Sequence, residues 1–181
     1  MTPLLNVNAT PLDVLQANSQ MLVTIALLTP DSRHDIVLNS SDPFNLPPNM
    51  VLPEGWDNYL SQRDIDKLVW GVNKVREIIS LEPLSQLTGV EVSPGETLVG
   101  DTLRDWVNNN VYANSHWVGT SRMGEDQNSV VDPFLRVRGV TRLRVADASI
   151  IPFIPNGNVH STVIVIASMA AAFILNQENQ E

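Results

Sequence analysis

Apolar residues recur at helical spacing between positions 61 and 80 of the chain. The stripe consists of Ile65, Leu68, Val69, Val72, Val75, Ile78 and Ile79. This spacing puts the apolar side chains on one face of a helix, which we expect to face a core. Ser61, followed three residues later by Asp64, is typical of a helix N-terminus. Pro83 ends the helix, because proline lacks the backbone donor that a helix interior needs.

Two further helices are predicted. The first runs from Asp101 to Asn109 and buries Leu103, Trp106 and Val107. The second covers Thr162–Leu175, a run of 14 residues without a charged side chain. It is shorter than the roughly 20 residues that a membrane-spanning helix needs, so we interpret it as a buried core helix and predict no membrane partner.

Short apolar runs predict strands elsewhere. Met21–Leu28 is rich in apolar and β-branched residues and predicts a buried strand, and Asp35–Asn39 predicts a second one. Leu143–Ala146 predicts a strand that ends at Asp147. The segment Asp42–Gly55 contains several prolines and predicts an irregular loop.

Composition narrows the possible functions of this chain. Its 181 residues carry a net charge of −9, whereas a nucleic-acid-binding protein needs a basic patch over the phosphates. It contains no cysteine, which excludes disulfides and thiolate metal sites. Its three histidines, His34, His116 and His160, are too far apart in the sequence to predict a metal cluster.

The sequence leaves the cellular compartment open. Met1–Thr10 lacks the basic start and long apolar run of a signal peptide. Asn8-Ala9-Thr10 and Asn39-Ser40-Ser41 match the glycosylation pattern and would suit a secreted parent protein.

Two blocks in the last third of the chain form a specific pattern. Ser115–Gly124 reads SHWVGTSRMG, and Val131–Asn158 begins with VDPFLRVRGVTRLRVADASIIPFIP. Together they resemble the C-terminal signature of the glucose–methanol–choline (GMC) oxidoreductases. Upstream, Ser32-Arg33, Leu38–Pro43 and Asn58–Leu60 resemble segments of that family's substrate domain. The resemblance extends from about Thr29 to Leu175.

The resemblance implies an α/β fold that is one piece of the larger GMC fold. Residues 1–114 would form part of an α+β substrate-binding domain. Residues 115–181 would return to the FAD-binding, Rossmann-like domain and supply its last strand and helix. The chain departs from the family pattern in two ways: His34 replaces a glycine, and no G-x-G occurs anywhere. A dinucleotide's pyrophosphate is usually bound by such a glycine motif, so the chain resembles a truncated one without the main FAD site.

The resemblance also implies site residues. His116 matches the catalytic histidine, which suits a general base, and Asn158 matches a second catalytic position that orients the substrate hydroxyl. The implied contacts to FAD come from Trp117, Asp147, Ala148, Asn158, Val159 and His160. The His116-Trp117 pair, with asparagine at position 158, further resembles the cellobiose dehydrogenase subgroup.

Simpler interpretations stay open for two of these residues. Asp147 could accept hydrogen bonds from the cofactor's hydroxyls, or it could cap the turn that follows a strand. His160 could contact the flavin through its backbone, or it could cap the last helix near its N-terminus.

The implied function is FAD-dependent oxidation of a CH–OH group in a small alcohol or sugar. Two other hypotheses remain. The chain could be a non-enzymatic remnant that binds no FAD by itself. It could also be an interaction chain that docks its last helix on a separate N-terminal FAD-binding half.

Overall fold

The computed structural model describes residues 21–38, 40–42, 44, 49–51 and 59–178. Two short strands, β1 (Asp35–Val37) and β2 (Asn49–Val51), form a two-stranded sheet. The helices of the described part are α1 (Gln62–Ile79), α2 (Leu84–Leu87), α3 (Gly100–Asn110) and α4 (His160–Glu178), with a 3-10 turn at Ala148–Ile150. The described part of the chain is thus a mixture of helices and one small sheet.

The predicted apolar stripe forms helix α1. The side chain of Ser61 accepts a hydrogen bond from the Asp64 amide at 3.2 Å, which confirms the predicted N-terminal cap. Ile65 is buried and packs with Leu103 and Val107 of α3. The helix predicted over Asp101–Asn109 is therefore confirmed as well, with two of its three expected apolar residues, Leu103 and Val107, buried.

The described residues form two units. The first unit consists of the described residues up to Leu27, of Asp31–Asp35, and of the described residues within Met50–Tyr112. It contains α1, α2 and α3. The second unit consists of Leu28–Pro30 and of the described residues within Ile36–Asn49 and Ala113–Glu181. It contains α4.

The core of the second unit is built mainly from irregular chain. Its buried residues are Val131, Leu135, Ile150 and Ala170. Of these only Ala170 lies on α4, which begins at His160 and confirms that the last predicted helix is present. The prediction that it is a buried core helix is wrong, because several of its apolar side chains, among them Val165 and Leu175, are about half exposed or more. The partly buried residues packed around them are Met123, Val137, Val145, Ile166 and Phe173. Within the described residues, no helix combines the length and apolar character needed to cross a membrane.

The predicted strand at Met21–Leu28 is wrong. This segment forms no regular strand, and Met21 and Val23 are 55% and 43% exposed. A strand needs a neighbour for its backbone hydrogen bonds, and no described segment pairs with this one. Instead, the side chain of Ile25 lies against α1 at Gly71. A Cβ added at Gly71 would come within 2.7 Å of this side chain.

Three other predictions need adjustment. Leu143–Ala146 forms only an isolated bridge, between Arg144 and Arg136, because its backbone meets one short neighbouring segment. β2 lies inside the predicted loop Asp42–Gly55, whose prolines are outside the described residues. β1 confirms the predicted strand Asp35–Asn39 over Asp35–Val37; Leu38 lies beyond the strand, and Asn39 is outside the described residues.

Candidate functional site

The loop that carries His116 is irregular and bounded by two unusual backbone conformations. Ser115 has a φ of 55° and Gly119 a φ of 94°, both in the left-handed region. Glycine adopts this region without the steric cost that a Cβ brings, which explains Gly119 of the family motif. His116 itself is half-buried, and Trp117 beside it is 61% exposed.

Backbone hydrogen bonds hold this loop against a turn much later in the chain. The amides of Gly119 and Ser121 donate to the carbonyl oxygen of Ser149 at 3.1 and 3.0 Å. The amide of Met123 donates to the carbonyl oxygen of Ile150 at 2.8 Å. The segment that follows His116 is therefore fastened to the 3-10 turn.

Asp147 and Ala148 start that turn. A carboxylate oxygen of Asp147 accepts a hydrogen bond from the Ser149 amide at 2.8 Å, which is the turn-capping role named above as its alternative. The Asp147 side chain is exposed, and Ala148 is half-buried. The cap leaves the carboxylate accessible from solvent.

Asn158, Val159 and His160 lie at the start of α4. Asn158 and His160 are exposed, whereas Val159 is buried and its carbonyl accepts the Val163 amide at 2.9 Å. The first amides of a helix have no partner within the helix, so they are available to another acceptor. The hydrogen bonds described above connect two predicted site segments, the His116 loop and Asp147, through the backbone of Ser149. None of these bonds involves Asn158.

The end of the SHWVGTSRMG block has a structural role. A Cβ at Gly124 would lie 2.4 Å from the Ser129 hydroxyl, so no larger residue fits without movement. Arg122 donates two hydrogen bonds of 2.8 Å to Asp126 and lowers the pKa of that carboxyl well below its usual range. Within the described residues, no group of acidic, histidine or cysteine side chains could hold a metal ion.

The sequence did not reveal the buried carboxylate of the first unit. Asp64 is fully buried and accepts hydrogen bonds from the amides of Asp31 and Ser32, from the Ser32 hydroxyl and from Lys67. Burial alone would raise its pKa, but these hydrogen bonds outweigh burial and lower the pKa to about 2. The only local sign of this buried carboxylate was an acidic residue next to the apolar stripe of α1. Its partners, Asp31 and Ser32, are distant in sequence, so the sequence pattern does not reveal them.

Two smaller findings concern the same unit. Ser32, the first residue of the Ser-Arg pair, also accepts the Ser61 amide through its hydroxyl at 2.9 Å, so the pair belongs to a structural network. His34, which replaces the family's glycine, is half-buried with its ring centre 6.0 Å from that of Tyr59.

Comparison with known proteins identifies the class. The model of the GMC oxidoreductase family, for its C-terminal domain, matches residues 30–167. The chain belongs to this family. Choline oxidase from Arthrobacter globiformis is 40% identical over 153 residues, which are 79% of this chain and 26% of the oxidase. An alcohol dehydrogenase (acceptor) from Pseudomonas putida is 37% identical over 153 residues, covering 83% of this chain and 26% of that enzyme.

Solved structures agree with the assignment. Formate oxidase from Aspergillus oryzae RIB40 superposes with a TM-score of 0.71 at 28% identity, over 81% of this chain and 25% of that one. An FAD-dependent oxidoreductase from Chaetomium thermophilum gives a TM-score of 0.72 at 28% identity, over 84% and 26%. The chain thus spans about a quarter of the length of these relatives. They give no support to the narrower resemblance to cellobiose dehydrogenases.

Proposed function

We propose that this chain supplies the catalytic base of an FAD-dependent oxidoreductase that acts on CH–OH groups of small alcohols or sugars. His116 is the base, and Asn158 orients the substrate hydroxyl. The observation that carries the proposal is the fastening of the His116 loop to the turn after Asp147. A general base needs such fixed placement, because misplacing a reacting group greatly slows a proton transfer.

The chemistry assigned to this chain is the handling of one proton. An imidazole nitrogen of His116 accepts the proton of the substrate hydroxyl, because a neutral imidazole has one nitrogen whose lone pair can take up a proton. The amide of Asn158 can both donate to and accept from that hydroxyl, which would hold it toward His116. The residues at Asp147 and at the start of α4 would contact FAD, and its flavin would supply the acceptor for the hydride of the substrate carbon.

The residues proposed to contact FAD are compatible with this role. Trp117, Asp147, Asn158 and His160 are exposed, so a cofactor could reach their side chains. The amides at the start of α4, next to Val159, can donate to a negatively charged or carbonyl oxygen. Ala148 would contribute its backbone. These residues do not include the glycine motif that usually binds the pyrophosphate of FAD, because the chain has no G-x-G.

The position of the chain in the whole enzyme is part of the same proposal. We assign residues 1–114 to the substrate-binding domain and residues 115–181 to the FAD-binding domain. The relatives, a choline oxidase and an alcohol dehydrogenase, favour an alcohol donor. The N-terminal FAD-binding portion would come from a longer parent chain or from a partner.

Joining this chain to the N-terminal portion of the Arthrobacter choline oxidase tests the proposal. His116→Ala should lower turnover per bound flavin, with choline or a simple alcohol, by about a hundredfold. Asn158→Ala should lower it by about tenfold at most, because it removes one hydrogen bond. His34→Ala is the control and should leave it unchanged. Equal turnover per flavin in His116→Ala and the unaltered protein would refute the assignment.

The exposed apolar surface of α4 favours a second candidate, an interaction chain. Five apolar side chains of this helix are 46–61% exposed: Ile164, Val165, Met169, Ile174 and Leu175. Such a surface associates with other apolar surfaces in water. In size-exclusion chromatography the chain alone should elute as associated species. The double change Val165→Glu and Leu175→Glu should shift it toward the monomer, whereas Phe153→Glu, outside the helix, should not.

A further inference from the structure

The backbone of Ser149 connects two segments that both carry proposed site residues. Its amide donates to the carboxylate of Asp147 at 2.8 Å. Its carbonyl oxygen accepts the amides of Gly119 at 3.1 Å and Ser121 at 3.0 Å. A chain of hydrogen bonds therefore runs from the Asp147 side chain to the loop of His116.

Besides the bonds to Ser149, the Met123 amide donates to the Ile150 carbonyl oxygen, seven residues after His116. Residues 111–121 contain no helix or strand, and Ser115 and Gly119, on either side of His116, both have left-handed backbone conformations. His116 lies three residues before the first amide that is bound to Ser149. The orientation of its backbone thus depends on where the Ser149 carbonyl points.

We infer that Asp147 is a positioning residue for His116, acting through the backbone of Ser149; this inference rests on the proposed role of His116 as the base. The Asp147 carboxylate caps the 3-10 turn Ala148–Ile150, and the capped turn presents the Ser149 carbonyl to Gly119 and Ser121. The sequence resemblance had implied only a contact between Asp147 and the cofactor.

The physical basis is the sensitivity of short helical turns to their ends. A single 3-10 turn has few internal hydrogen bonds, so the cap is a large part of what keeps it formed. Loss of the carboxylate frees the Ser149 amide, and the φ and ψ angles of Ser149, which set the direction of its carbonyl in the following peptide unit, are then less restrained. The carbonyl that holds Gly119 and Ser121 would then lose its direction, and the loop would move with it.

Amide hydrogen exchange of the full chain, followed by NMR, tests this coupling. In Asp147→Ala the amides of Gly119 and Ser121 should exchange on the order of tenfold faster, as expected for one lost cap. In Asp147→Asn the amide oxygen can still cap the turn, so their exchange should stay within about threefold of the unaltered chain. The ring resonances of His116 should shift in the alanine variant only, with those of His34 unchanged.

Asp42→Ala provides a matched control. The Asp42 carboxylate accepts the Phe44 amide, two residues ahead, at 2.9 Å, so this change removes a bond of the same type elsewhere in the same unit. It should leave Gly119 and Ser121 unaffected. Unchanged exchange at both amides in Asp147→Ala would overturn the inference. Equal acceleration at the core amides of Val131 and Leu135, which lie outside the turn, would overturn it too, because it would indicate general destabilisation.

These measurements need no activity, so they separate this inference from the proposed function. If the exchange and ring shifts follow the expected pattern but His116→Ala keeps full turnover in the joined enzyme, the coupling stands and the catalytic role fails. In the joined enzyme, Asp147→Ala should lower turnover per flavin and Asp147→Asn should restore most of it. Lost turnover with unchanged exchange would assign Asp147 to the cofactor instead.

Discussion

The two units of this chain are each stabilised internally by different kinds of interaction. In the first, α1 and α3 pack through Ile65, Leu103 and Val107, and a buried carboxylate, Asp64, connects α1 to a distant segment. In the second, only one of the four core residues lies on an α-helix, and backbone hydrogen bonds between loops replace a regular sheet. All the proposed site residues belong to the second unit.

The difference indicates how each unit would respond to damage. A helical pair distributes its stability over many apolar contacts, so its most sensitive points are groups that cannot be replaced, such as a buried charge. A loop-built core depends on backbone geometry at a few positions. Site residues are often carried on such loops, because irregular chain can direct side chains that a helix cannot. We therefore expect the largest single effect in the first unit and sharply local effects in the second.

Asp64→Ala should have the largest effect on stability. It leaves the Ser32 hydroxyl and the amides of Asp31 and Ser32 without their acceptor, and each buried donor left unpaired costs about 1 kcal/mol or more. We expect the free energy of unfolding in urea to fall by about 3 kcal/mol. Asp66→Ala, which removes an exposed pair with Arg104, should cost less than about 1 kcal/mol. Equal losses in the two variants would refute the role of Asp64.

Acid should reveal the same network. The pKa of Asp64 is about 2 in the folded chain, against an ordinary value of 3.8. Because the folded pKa is the lower one, its contribution to stability is complete above about pH 4 and disappears as the pH falls from 3.8 toward 2. The difference in unfolding free energy between the unaltered chain and Asp64→Ala should therefore narrow over this range. A difference that is constant with pH would contradict the assignment.

Gly124→Ala tests the loop geometry of the second unit. Its Cβ would lie 2.4 Å from the Ser129 hydroxyl, and overpacking of this kind costs about 1–3 kcal/mol. Gly157→Ala is a control in the same unit, because a Cβ there meets nothing within 4 Å. Thermal melts should show a clear loss for the first variant and little for the second.

A double variant makes this test specific to one contact. Adding Ser129→Ala removes the clashing hydroxyl, so it should recover part of the stability lost in Gly124→Ala. Ser129→Ala alone should be mildly destabilising, because its hydroxyl donates to Asp126 at 3.0 Å. Simple addition of the two losses would mean that the Ser129 contact is not what constrains Gly124.

The first unit was largely predictable from its pattern. The helical periodicity of Ile65–Ile79 and the Ser61 cap gave α1, and the spacing of Leu103 and Val107 gave α3. The failure at Met21–Leu28 has a physical reason: β-branched apolar residues favour a strand, but a strand forms only where another segment completes its hydrogen bonds. Likewise, the Asp64 network joins residues about thirty positions apart, which no local pattern reports.

The second unit was predictable from motif resemblance and hardly at all from periodicity. Its helix α4 was evident from a long apolar run, but the strand expected at Leu143–Ala146 is one isolated bridge. The family motifs indicated His116, Asn158 and Asp147 as site residues, and these roles stay predictions. The Ser149 carbonyl, which holds the loop of His116, is a backbone group that every residue has. No pattern of side chains could therefore have indicated it.

The last prediction expects almost no effect: the chain alone should not retain FAD. The exposed groups around Asp147 and at the start of α4 could contact a flavin, but tight retention of a dinucleotide relies on clustered backbone amides at its pyrophosphate. The chain has no G-x-G to provide that cradle. Purified chain should therefore lack a flavin absorbance band, and added FAD should leave its melting temperature unchanged within error. The same chain joined to the N-terminal portion of choline oxidase is the positive control and should be yellow. A stoichiometric flavin band in the chain alone would show that the loop-built unit and α4 suffice to bind the cofactor.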